Sequence, residues 1–243
     1  MIDPAVQFSK VSKSFGSSKV LREIDLCITP GQFLGLAGVN GAGKTTLIKC
    51  LLDFCDLEAG RIEIHGVSWR RPEARQCLAF LPERFMPPYF LTGREFMRSM
   101  LRLSGHGWDE ARVRAMFDDL DLDHAALAKP VRSYSKGMTQ KLGLAASFLS
   151  RRDLYILDEP MSGLDPKARA SVKAILARLR AEGRTLLFTS HSLADIEEIC
   201  DHMVVLHRGS LAYSGTPAAL CERHGETTLE GAFLRCIEAP ANG

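Results

Sequence analysis

One octapeptide constrains this chain more than any other stretch. Gly38-Val39-Asn40-Gly41-Ala42-Gly43-Lys44-Thr45 follows the apolar run Phe33-Leu34-Gly35-Leu36-Ala37 and precedes a helical pattern over residues 45–52. An apolar run of that length reads as a buried strand, and strand, glycine-rich loop and helix together meet the pattern GxxxxGK[ST]. The glycines let backbone N–H groups converge on a phosphate, and the following helix presents the positive end of its dipole. The pattern gives Lys44 the outer phosphates of a nucleotide and gives the Thr45 hydroxyl a Mg²⁺ ion, with Thr46 beside it at the start of the helix.

The rest of the chain agrees with such a site. Short alternating runs, Val6–Phe8, Val20–Leu21 and Ile24-Leu26-Ile28, predict N-terminal strands, and the glycine-bounded segment 60–66 predicts an antiparallel one. From about residue 85 to 150 the pattern turns helical: Val113, Met116, Phe117 and Leu120 share a face, with Asp109 placed to cap that helix. Leu154–Leu157, Thr185–Thr189 and Met203–Leu206 read as buried strands, and Leu211–Tyr213 continues from the turn at Arg208-Gly209-Ser210. A helix begins at Pro166, with Val172, Ile175, Leu176 and Leu179 on one face, and stops at Gly183. Strands alternating with helices predict an α/β fold with a mostly parallel central sheet, an antiparallel β subdomain before it and a helical subdomain inserted at about 86–150. The reading is one domain over 1–243, with a helical tail from about 216 and a loose end after Ala239.

Composition narrows the function. Apolar residues are 46% and charged residues 25%, a globular balance. A net charge of +2 gives no large field for nucleic acid or anionic lipid. No apolar stretch approaches the roughly 20 residues that cross a bilayer, and the start, MIDPAVQFSK, has no signal-peptide pattern. Any membrane role is therefore expected through a partner. The seven cysteines lack metal-ligand spacing and are expected to be reduced thiols.

Leu154-Tyr155-Ile156-Leu157-Asp158-Glu159 is an apolar strand ending in two acids. Burying adjacent carboxylates is costly unless a cation compensates, which suits Asp158 to the Mg²⁺ shell and Glu159 to orienting or deprotonating a water. Ser133-Tyr134-Ser135-Lys136-Gly137-Met138-Thr139-Gln140, taken alone, is explained by a serine helix cap. Together with Ser162-Gly163-Leu164-Asp165 and Thr189-Ser190-His191, in this order, it resembles the ATP-binding subunit of an ABC transporter over nearly the whole chain, from Phe8 to about Gly215.

That resemblance implies a P-loop NTPase fold and two subunits paired head to tail around two ATP molecules. Each site would join one subunit's phosphate loop (Gly38, Val39, Asn40, Gly41, Ala42, Gly43, Lys44, Thr45, Thr46) to the other's signature residues Ser135, Lys136 and Gly137. It implies a catalytic role for Glu159, γ-phosphate sensing for His191, a cross-interface role for Asp165, adenine stacking by Phe15 and a Mg²⁺ contact at Glu83. Two departures stand out: the signature reads Tyr-Ser-Lys-Gly-Met where Leu-Ser-Gly-Gly-Gln is usual, and Leu81-Pro82-Glu83 brings a glutamate to the family's glutamine loop. Both look like the subgroup serving drug, sodium and haem-type exporters with separately encoded permeases. The implied partners are a second copy and integral membrane permease subunits at the cytoplasmic face, without nucleic acid. A soluble ABC-type ATPase acting on DNA or ribosomes is the alternative, but it calls for long insertions or a second cassette that this chain lacks. A metabolite kinase using the same loop does not explain the signature or His191.

Overall fold

The computed structural model describes residues 3–238, so the expected loose end after Ala239 lies outside the described residues. Two sheets form. The first has the order β2-β1-β4-β5 and is antiparallel: β1 (Val6–Phe15), β2 (Ser18–Ile28), β4 (Ala59–Ile64) and β5 (Val67–Ser68). The second has six strands in the order β10-β9-β3-β8-β7-β6: β3 (Phe33–Ala37), β6 (Leu78–Leu81), β7 (Leu154–Asp158), β8 (Thr185–Thr189), β9 (His202–His207) and β10 (Ser210–Gly215). All its pairings are parallel except that of β10 with β9. The alternating pattern predicts this mostly parallel sheet.

Helices cover the parallel strands, as their continuous apolar sequences require. They are α1 (Lys44–Leu51), α2 (Gly93–Leu103), α3 (Glu110–Asp119), α4 (Lys136–Leu149), α5 (Pro166–Ala181), α6 (Leu193–Ile199), α7 (Pro217–His224) and α8 (Leu229–Glu238). The period of two along β3 divides its side chains between two cores. Leu34 and Leu36 join α1 and the antiparallel sheet through Leu47, Ile48, Val6 and Phe8. Phe33 and Ala37 join the opposite core, which holds Leu144 of α4 and Val172 of α5. Asp109 caps α3, accepting from the Arg112 N–H at 3.1 Å, and Val113 and Phe117 are buried beneath.

Two elements have weak sequence signals. The strand β6 is four residues long at the sheet edge, stopped by Pro82, and α6 has only seven residues after its Ser192 cap. The run after Glu83 is divided. Phe85 and Leu91 pack against the core, Phe85 edge-on to Phe96 at 5.8 Å, whereas Met86, Tyr89 and Phe90 project into solvent.

Candidate nucleotide site

The carboxyl ends of β3, β7 and β8 lie side by side, because Leu36 and Asp158 both pair with Thr189. Ligands of open parallel sheets bind at such ends. The loop after β3 turns into α1 through Gly43, which has φ +112° and no side chain to cap the helix. A Cβ at Gly43 would come within 2.9 Å of the Val20 carbonyl oxygen of β2, so only glycine fits where the antiparallel sheet crosses the loop. Lys44 is buried and donates from Nζ to the Gly38 and Val39 carbonyls. It forms no ion pair among the described residues, and burial pulls its pKa down despite Glu159 and Asp158 nearby.

Across the cleft, Thr189 holds two carboxylate residues together. Its hydroxyl donates to Asp158 Oδ1 at 2.7 Å and accepts the Glu159 backbone N–H at 2.9 Å. Glu159 takes a left-handed backbone, φ +50°, which a non-glycine residue adopts at some strain. Its Oε2 accepts the His191 backbone N–H at 3.0 Å. Its Oε1 is buried and has no hydrogen-bond partner; the His191 Nε2, at 3.6 Å, is too far to donate to it. Burial raises the pKa of both carboxyls above their ordinary values.

These groups line one cleft of about 530 Å³, with Val20, residues 39–46 of the loop and helix, Glu83, Asp158, Glu159 and His191 around it. The donor set suits a hard divalent cation, which takes hydroxyl, carboxylate and phosphate oxygens. Two desolvated carboxyls faced by one ammonium group leave negative charge that such a cation would balance.

Other residues singled out in the sequence lie elsewhere. Ser135 caps α4, accepting from the Met138 N–H at 3.2 Å, and Asp165 caps α5, accepting from the Ala168 N–H at 2.8 Å. Ser135, Gly137 and Asp165 line a second hollow, together with Gly163 and Lys141, that shares no residue with the first. Lys136 is exposed and lays its stem over Gly163, and Phe15 projects from the end of β1 at 53% exposure. Sequence reading missed the structural part of Thr189, whose only signal is a hydroxyl at the end of an apolar strand, and missed Val20, which no local signal marks.

The family model described as ABC transporter matches residues 21–162. An uncharacterized ABC transporter ATP-binding protein of Synechocystis is 40% identical over 82% of this chain and 57% of its own length, so the chain spans less than two thirds of that relative. The Nod factor export ATP-binding protein I of Paraburkholderia xenovorans is 34% identical over 90% of this chain and 73% of its own. A solved structure of the ATP-binding subunit of an ABC transporter superposes with a TM-score of 0.85 at 28% identity, covering 96% of this chain and 99% of that one. With the phosphate loop, the paired acids and the sheet order all in place, the chain belongs to the ABC transporter family and has the fold of its ATP-binding subunit.

Proposed function

We propose that the chain binds and hydrolyses ATP with Mg²⁺, pairs head to tail with a second copy around two ATP molecules, and drives separate permease subunits from the cytoplasmic face of the membrane. The observation that carries this reading is the division of the nucleotide-site residues between two hollows with no common lining residue. Lys44, Glu159 and His191 sit in one, and Ser135, Gly137 and Asp165 in the other, so a second chain is needed to bring them onto one nucleotide. Ser135 uses an acceptor lone pair on its helix cap and keeps its O–H to donate, and α4 points its N-terminus the same way.

Within the cleft, Lys44 and the N–H groups at the start of α1 bind the phosphates. Thr45, Asp158 and Glu83 would hold Mg²⁺, which when bound neutralises charge on the phosphate oxygens. Glu159 is the base. Thr189 and the His191 N–H fix its backbone and Oε2, and the buried Oε1, which has no hydrogen-bond partner among the described residues, is the oxygen assigned to take the proton from water. His191, whose side chain is 58% exposed, is assigned the contact with the γ-phosphate.

The permease contact is assigned to Met86, Tyr89 and Phe90. They are 85%, 69% and 70% exposed, and Tyr89 and Phe90 meet edge to face at 5.8 Å. Exposed aromatic and methionine side chains grouped beside a proline pair suit a short helix of a partner. Export is the proposed direction, in keeping with the printed name of the Paraburkholderia relative. Among the described residues no helix is long and apolar enough to cross a membrane.

Sizing chromatography of Glu159→Gln tests the pairing. Mg-ATP should double its apparent mass, and adding Ser135→Arg should abolish the doubling. A doubling unaffected by Ser135→Arg would remove the signature hollow from the interface. Met86→Asp and Tyr89→Asp should weaken copurification with the permease while nucleotide binding persists.

A further inference from the structure

The phosphate-loop helix ends in a turn that brings two thiols together. The Phe54 N–H donates to the Lys49 carbonyl at 2.8 Å and the Asp53 N–H to the Cys50 carbonyl at 3.1 Å, the bond pattern of a Schellman closure. That closure needs a left-handed residue, and Asp53, at φ +61°, supplies it where glycine is usual. Arg75 holds Asp53 in place through an ion pair at 3.3 Å. The chain therefore doubles back against α1, and Cys55 Sγ lies 3.4 Å from Cys50 Sγ. Both are free thiols; Cys50 is fully buried in the core beneath the antiparallel sheet, and Cys55 is partly exposed.

We propose that Cys50 and Cys55 form a reversible disulfide under peroxide, a redox modification site that clamps the C-terminal end of the phosphate-loop helix. The sulfurs need to close from 3.4 Å to about 2 Å. The movement falls on Cys55, which sits in the loop between α1 and β4, while the core holds Cys50. Exposure sets the order of the chemistry. The Cys55 sulfur, deprotonated to solvent, attacks a peroxide oxygen; the O–O bond breaks, giving a Cys55 sulfenic acid and hydroxide, which takes up a proton to become water. The Cys50 sulfur then attacks the Cys55 sulfur, the S–O bond breaks, and the departing hydroxide leaves as water with the Cys50 proton. Two thiols are oxidised and one peroxide is reduced to two waters. Burial pushes the Cys50 thiol up to about 12, which keeps it out of the first step. The same shift slows it as a resolving nucleophile, so the second step rests on its sulfur already lying at contact distance, 3.4 Å, from Cys55. A small thiol reverses the bond by exchange.

The test needs no variant to begin. One tryptic peptide, residues 50–61, carries both cysteines. After the full-length chain is treated with hydrogen peroxide, that peptide should be lighter by two hydrogens and return to its original mass with dithiothreitol. Hydrogen exchange at the Asp53 and Phe54 amides should slow in the oxidised form. Cys55→Ser should leave Cys50 unmodified, and Cys50→Ala should leave a Cys55 sulfenic acid that dimedone traps. A wild-type peptide that stays reduced, or gains oxygens at Cys55 while Cys50 remains a thiol, would overturn the pairing. A cross-link that leaves both amides exchanging as before would overturn the clamp.

Discussion

The two hollows assigned to one nucleotide differ in how they are held. In the cleft, Lys44, Asp158 and Glu159 are all buried, and Thr189 joins the two acids through its single hydroxyl. In the signature hollow, Ser135 and Asp165 are exposed, and their bonds are local helix caps. A buried, charged cleft is fixed by its own chain and carries a desolvation penalty until a ligand compensates it. A solvated hollow carries no such penalty and can wait for a surface to meet. In the function proposed, the chemistry falls to the rigid half and assembly to the exposed half.

Lys44→Ala cuts deepest into the rigid half. The cleft then loses the cation that meets the phosphates, and the variant should retain no measurable ATP turnover in a phosphate-release assay. Wild-type rates from a preparation free of other ATPases would move the chemistry elsewhere.

Glu159→Gln should lower turnover by about 10²- to 10⁴-fold, because an amide in the same place cannot take the proton from water. Nucleotide binding should survive, which equilibrium titration checks. The same substitution sharpens the contrast through stability. Burial raises the Glu159 pKa in the folded chain, so the folded state binds a proton more tightly than the unfolded state. Stability of the wild type then falls as pH rises from the ordinary carboxylate pKa through the raised one. Glutamine does not ionise, so without nucleotide Glu159→Gln should melt higher than wild type at neutral pH. That gain should vanish in acid, below the ordinary carboxylate range. A gain independent of pH would assign it to packing instead.

Legibility in the sequence follows the same division. The rigid half is built from β3, the glycine loop and β7, whose apolar runs and terminal charges are local signals. Thr189 was legible as a strand end but not as the link between two acids, since that depends on β7 and β8 lying in register. Val20 reaches the cleft only because β2 crosses the loop at Gly43, a tertiary contact with no local pattern. The strand β6 and helix α6 are too short to show a period. In the exposed half, capping serines and aspartates are common, so Ser135 and Asp165 gained meaning only from the order of motifs.

The smallest effect is expected at Phe15, which tests whether the exposed half extends to the adenine. Its ring stands 53% exposed at the end of β1, with the Lys13 ammonium 4.9 Å from the ring centroid, and it does not line the cleft that holds the phosphate loop. An exposed ring offers a face on which a purine can stack. Aromatic stacking contributes about 0.5–1.5 kcal/mol beyond burial, so Phe15→Ala should weaken ATP binding by roughly two- to tenfold. Phe15→Tyr should keep it, because the ring face is retained. Neither variant should move the thermal midpoint of the nucleotide-free chain appreciably, since little apolar contact is lost. Comparing ATP with inorganic tripolyphosphate isolates the base: Phe15→Ala should weaken the first and leave the second unchanged. Equal losses for both ligands would mean that the substitution disturbs the phosphate loop, and no loss for either would place the adenine against some other surface.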